Sequence, residues 1–296
     1  MKKNFTFKLL NATLATSLLF GFSNSYAKNP APHTGAPILQ NTISNVAGIE
    51  SVVFDAKRNR YFASLQAGDK VGDGSIVVIS ADGTTVEKTI ATGLDDPKGI
   101  TIVKDQLYVG DLTKLVQIDL NTGAITKHSP ENAQFLNDTV ADSQGRVYVS
   151  DMFTSAIYRL ENGKVSSWMQ SPELENPNGL LFVKNDLYVA AWGAFQDGKP
   201  INAPHGRLLK VNPKTKSITQ VTPETFGNLD GLQLDDKGNF LVSDWKQSAV
   251  FSVTPKGVVT KILDLPRGAG DILYQPKQKS LLIPMARDGQ LHRYTW

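Results

Sequence analysis

The sequence predicts an all-β protein: a closed six-bladed β-propeller with four-stranded blades, the last blade completed by an N-terminal strand. Three observations point there. Short apolar runs alternate without any long stretch of helical period, one segment type recurs six times at near-forty-residue spacing, and one chain end lacks a strand while the other has a spare.

The runs are four to six residues long, bounded by Gly, Asp, Asn and Pro, the residues that end strands and form turns. Six seven-residue segments that contain such runs open the repeats: IESVVFD from Ile49, PKGITIV from Pro97, LNDTVAD from Leu136, PNGLLFV from Pro177, LDGLQLD from Leu229 and AGDILYQ from Ala269. A second run follows each, as RYFASL, QLYVGD, RVYVSD, DLYVAA, NFLVSD and SLLIPM. Third runs are SIVVIS, KLVQIDL, AIYRLE, RLLKVN, AVFSVT and QLHRYTW, and fourth runs VEKTIA, AITKHS, KVSSWM, SITQVT and VVTKIL. The sixth repeat has no fourth run, whereas PILQNT at 37–42 precedes the first repeat without a place. Pairing the two unites the chain ends in one blade and removes an exposed sheet edge. An open solenoid would instead need polar capping repeats.

The second residue of each opening segment marks one register: Glu50, Lys98, Asn137, Asn178, Asp230 and Gly270, spaced by 48, 39, 41, 52 and 40 residues. First strands of propeller blades line the central channel, so these positions share one channel mouth. Burying carboxylates and amides together is costly unless each finds a partner. A hard cation is such a partner, since calcium takes about six to eight oxygens from carboxylates, carbonyls and water. The pattern therefore assigns Glu50, Asn137, Asn178 and Asp230 to a divalent metal, calcium first, with magnesium, manganese or zinc as alternatives. Zinc prefers His and Cys, but His33, His128, His205 and His292 show no paired ligand spacing and cysteine is absent.

A competing reading makes Asn137, Asn178 and Asp230 turn residues, because Asn-Asp, Asn-Gly and Asp-Gly favour chain reversal. Glu50 in the same register is no turn former. Lys98 either clamps an anionic or carbonyl oxygen, pairs with Glu50 or Asp230, or carries its charge out to solvent.

The two longest spacings come from insertions after second strands, at 66–74 and 192–207. Both are expected on the face that holds the ring. The longer insertion offers Trp192, Phe195 and His205 as substrate contacts, and Trp245 ends the matching strand of the fifth repeat. Packing between blades is the alternative for the tryptophans. Asp111, Asp151 and Asp244, which also end second strands, read as turn caps.

Residues 1–27 read as a secretory signal: Lys2 and Lys3 precede an apolar run too short to span a bilayer, and Ser25 and Ala27 fit the small residues of a cleavage site. Residues 28–296 then form one domain, periplasmic or secreted. With no cysteine, neither a lipoprotein anchor nor a disulfide framework exists. The formal charge of +3 disappears once Lys2, Lys3 and Lys8 leave with the signal, giving 28 basic against 28 acidic residues. That balance gives no basic stripe for nucleic acid or anionic lipid. No membrane span is expected, and a closed ring without free edges is expected to be a monomer.

The ring motifs resemble those of the senescence marker protein and gluconolactonase (regucalcin-like) family of six-bladed propellers, over residues 45 to about 291. The resemblance implies that Glu50, Asn178 and Asp230 bind the metal directly, that Asn137 reaches it through water or holds substrate, and that Asp230 is catalytic. It implies a lactone or similar small ester as substrate, with Lys98, Trp192, Phe195 and His205 as further contacts. Three positions depart from the family pattern: Ser51-Val52 follows Glu50 where Gly-Pro is common, Thr139 replaces the Gly of Asn-Asp-Gly, and Phe135 stands where sugar-lactone hydrolases can place an Arg. No Gly-x-Ser-x-Gly elbow, His-Glu-x-x-His or phosphate loop offers a competing mechanism. The expected function is an exported metal-dependent lactone hydrolase. The alternative is a non-catalytic propeller, resembling NHL-repeat scaffolds, that holds a ligand or protein partner beside a structural metal.

Overall fold

The computed structural model describes residues 36–68 and 70–296, so the 1–27 signal assignment lies outside the described residues. Among the described residues, twenty-four strands form six four-stranded antiparallel sheets. Among the described residues helical structure is limited to two short 3-10 turns, Pro172–Leu174 and Pro200–Asn202. No helix there is long and apolar enough to cross a membrane.

In the first five blades the chain runs outward in order, starting from Ile49–Asp55, Pro97–Val103, Leu136–Ala141, Pro177–Val183 and Leu229–Leu234. The sixth blade starts from the shorter strand Leu273–Gln275 and ends with Ile38–Ser44, which pairs antiparallel with Gln290–Thr295. Ile38 stands opposite Thr295 and Ser44 opposite Gln290. The unplaced N-terminal run thus completes the last blade and extends two residues beyond Thr42.

Each blade packs its faces against both neighbours, which is why the middle strands are near-continuous apolar runs. Val147–Asp151 is buried at every position, while no residue of the outermost strand Lys164–Gln170 is fully buried. Cores lie between blades: Phe62, Ile76 and Val78 of the first blade meet Leu107, Val109 and Val116 of the second. Burying each such side chain contributes about 1.5–3 kcal/mol.

Five inner strands leave their ladders at the same point. Leu136 faces Asp151 and Thr139 faces Val149, so Asn137 and Asp138 together oppose Ser150. Lys98-Gly99 likewise oppose Gly110, Asn178-Gly179 oppose Ala190, Asp230-Gly231 oppose Ser243, and Glu50 is an extra residue between Ile49 and Ser51. A bulge inserts one residue and re-aims a side chain; here it does so at five marker positions. Serines join the bulges of neighbouring blades. Ser150 Oγ accepts from Asp138 N at 3.0 Å and donates to the Asn178 carbonyl at 2.7 Å, and Ser243 Oγ accepts from Gly231 N and donates to the Gly270 carbonyl, both at 2.8 Å.

Candidate functional site

Glu50, Lys98, Asn137, Asn178 and Asp230 line a single cavity of about 350 Å³. The sixth marker, Gly270, contributes closeness in place of a side chain. A Cβ there would stand 2.5 Å from the Glu50 carbonyl oxygen, and glycine lets the sixth blade dock on the first, where Asp271 N donates to that oxygen at 2.8 Å.

Glu50 and Asn178 are 3% and 1% exposed, yet Glu50 Oε2 and Asn178 Oδ1 have no hydrogen-bond partner. Asn178 Nδ2 donates to the Leu229 carbonyl at 3.1 Å, which leaves Oδ1 as the free end of the amide. Burial, then the charge of Asp230, pushes the Glu50 carboxyl well above its ordinary range, with Lys98 opposing. Burial, then Asp271, raises Asp230 to about 8, again against Lys98. Two buried acids that repel and two oxygens without donors fit a divalent cation, which would satisfy the orphaned oxygens and make ionisation favourable. Among the described residues no group of three or more His, Cys, Asp or Glu side chains could hold a metal ion. A cation here therefore depends on the amides as well as the two carboxylates.

Lys98 does not reach solvent. It is 8% exposed, with Nζ 3.2 Å from Asp96 and 4.9 Å from the centroid of the Phe135 ring. Phe135 itself lines the cavity, alongside Met152, Phe153 and Trp192. Thr139 points elsewhere: its hydroxyl donates to the Gly99 carbonyl at 3.1 Å and joins the second and third blades.

The longer insertion covers the cavity with Pro200 and Ile201. Trp192 Nε1 donates to the Pro200 carbonyl at 3.1 Å and Lys246 Nζ to the Ile201 carbonyl at 2.9 Å, which pins the segment in place. Phe195 and His205 stand outside the lining. Phe195 packs edge-on against Phe153 at 5.3 Å, and exposed His205 lies 3.4 Å from Gln247 Nε2. The shorter insertion, expected over the ring, instead borders a neighbouring depression through Gln66, Ala67 and Gly68. Asp111, Asp151 and Asp244 accept backbone N–H groups at strand ends, as caps do.

Two features have no counterpart in the sequence reading. One register position further along lie Ser51, Gly99, Asp138, Gly179, Gly231 and Asp271, and the Asp138 and Asp271 carboxyls hydrogen-bond to each other. Asp138 also accepts from Thr139 N and from Leu180 N of the next blade, both at 2.6 Å, and Asp271 accepts from Ser51 Oγ at 3.1 Å. The run of small residues at that register was the available signal. The other feature is a basic rim of Lys246, Arg267 and Arg287: Lys246 and Arg287 hold matching positions in the turns after the second strands of the fifth and sixth blades, and Arg267 lies in the link that enters the sixth blade.

Fold and site together define a propeller whose channel mouth combines carboxylates with carboxamides. A model of the family described as SMP-30/Gluconolactonase/LRE-like region matches residues 74–286, and the chain belongs to that family. No curated protein sequence matches the chain. Similar solved structures include a gluconolactonase from Xanthomonas campestris, with 16% identity, a TM-score of 0.66 and 90% of this chain covered against 97% of that one. Virginiamycin B lyase from Staphylococcus aureus aligns at 14% identity and a TM-score of 0.61, covering 88% and 99%. An auxiliary nutrient binding protein from Bacteroides ovatus aligns at 12% identity and a TM-score of 0.64, covering 86% and 70%. At such identities these likenesses establish the shared fold.

Proposed function

We propose that this protein is an exported, metal-dependent hydrolase of lactones or similar small esters. The observation that carries the reading is the pair of buried, unpartnered oxygens, Glu50 Oε2 and Asn178 Oδ1, on the cavity floor that also holds Asp230. Family membership supports the choice of substrate class. Glu50, Asn178 and Asp230 would hold the cation directly and Asn137 through water; this all-oxygen set suits calcium, then magnesium or manganese, and suits zinc least.

A bound divalent cation would polarise the scissile carbonyl and stabilise the charge that develops on its oxygen. The remaining work falls to the chain. An Asp230 carboxylate oxygen takes a proton from the attacking water and returns it to the departing alkoxide oxygen. Lys98, held between Asp96 and Phe135, sets a fixed positive charge beside that floor. Trp192 and Phe135 orient the apolar part of the substrate and exclude bulk water. Export rests on the character of residues 1–27.

The test is to purify the processed chain, measure bound metal, and follow proton release from aliphatic lactones, aldonolactones and aryl esters with and without chelator. One divalent ion per chain, and turnover that disappears on chelation, is the expected result. Normal cation binding with no turnover on any substrate would defeat the hydrolase reading.

A further inference from the structure

The cavity wall and its rim differ sharply in character. Phe135, Met152, Phe153, Trp192, Ile201 and Trp245 present hydrocarbon, and two of them, Phe153 and Ile201, are 38% and 62% exposed. On the rim stand Lys246, Arg267 and Arg287. Lys246 spends its ammonium on the Ile201 and Ala203 carbonyls. Arg267 and Arg287 have no ion-pair partner among the described residues. Arg267 lies close enough to Lys246 to push its proton affinity down, behind the larger effect of burial and against Asp244. A divalent ion on the floor would offset Glu50 and Asp230, leaving the rim cations to set the sign of the field at the entrance.

We infer that the cavity is built for an amphipathic anion: a small lactone or ester with an apolar body seated on Phe135, Phe153, Trp192 and Ile201 and an anionic substituent held by Arg267 and Arg287. The lactone or ester part rests on the hydrolase reading; recognition of an apolar anion does not. A polyhydroxylated aldonolactone fits less well, because hydroxyls set against the Phe135, Phe153, Trp192 and Ile201 wall would lack partners. The position where sugar-lactone hydrolases can carry an Arg holds the Phe135 ring, and the guanidinium groups lie at the rim instead.

The experiment titrates octanoate, octanol and gluconate against the intrinsic tryptophan fluorescence of the protein, once calcium-loaded and once in chelator. Octanoate should bind at least about tenfold more tightly than octanol or gluconate in both states, and 0.5 M salt should erode its advantage over octanol. The double variant R267E/R287E should remove that advantage while melting at the wild-type temperature, and the milder Arg287→Gln should reduce it in part. Equal binding of octanoate and octanol, or a preference that survives R267E/R287E, overturns the inference. Alkyl lactones with and without a terminal carboxylate then give a kinetic arm, in which the double variant should raise KM for the charged member alone. Octanoate binding without turnover defeats only the hydrolase reading, whereas turnover without charge preference defeats only this one.

Discussion

Asp138 and Asp271, carried by the opposite third and sixth blades, share a hydrogen bond between their carboxyl groups one register below the cavity floor. Such a bond requires a proton, and burial supplies the bias: it drives Asp138 well above its ordinary range and Asp271 to about 6. Glu50 is raised as well, and Asp230 reaches about 8. The metal-free folded chain therefore holds more protons than the unfolded chain between about pH 4 and pH 8. Its stability is fully present below that window and falls as pH rises through it. Thermal melts in chelator at pH 5, 6.5 and 8 should show a falling Tm, calcium should flatten the trend, and Asp271→Asn should make it shallower. A Tm that climbs with pH across this window contradicts the assignment.

Asp230→Asn keeps the size of the side chain and removes one of two floor charges. Calcium affinity, read by titration calorimetry, should fall at least about tenfold, because the ion loses a charged ligand in a buried setting. The melting temperature in chelator should hold or rise, since a repulsive buried acid has gone. Unchanged calcium affinity would move the ion to another part of the molecule.

Gly270→Ala introduces a Cβ 2.5 Å from the Glu50 carbonyl oxygen, so the first and sixth blades must separate. Overpacking of this kind costs about 1–3 kcal/mol, a loss of several degrees in Tm for a chain of this length. Calcium affinity should drop with it, as the Glu50 backbone shifts. Gly123→Ala is the control: it carries φ +76 with nothing within 4 Å of the new Cβ, so backbone strain is its only cost.

Asp151→Ala removes a buried acceptor for four backbone N–H groups, those of Gln134, Phe135, Phe153 and Thr154. Leaving such donors unsatisfied costs about 1–3 kcal/mol each where water cannot reach. The urea midpoint should fall clearly, and the Phe135 and Phe153 wall should loosen. Wild-type stability would show that the loop draws on other acceptors.

The blade count and the shared register were legible because both depend on period alone, and Glu50, Lys98, Asn137, Asn178 and Asp230 do converge on one cavity. The bulges were not, since an extra residue is visible only against the partner strand it fails to match. Asp138 looked like the second half of an Asn-Asp turn dipeptide and Asp271 carried no signal of its own; their meeting depends on blades three repeats apart. Pro200 and Ile201 line the cavity while Phe195 and His205 stand outside that lining, because position within a long insertion follows from the pinning of Pro200 and Ile201, which sequence does not reveal. Arg267 lies between repeats and Arg287 in the turn after a second strand, so neither falls on the first-strand register that marked the ring.

The sheet that joins Ile38–Ser44 to Gln290–Thr295 also dictates an order of assembly. The first strand made is the last to find its place, so the ring cannot latch until nearly the whole chain is available. Until then Gln290–Thr295 offers an open edge, and the equivalent strand of a second copy can fill it as well as the chain's own. Crowded refolding should therefore yield exchanged dimers, and dilute refolding should yield the self-latched ring.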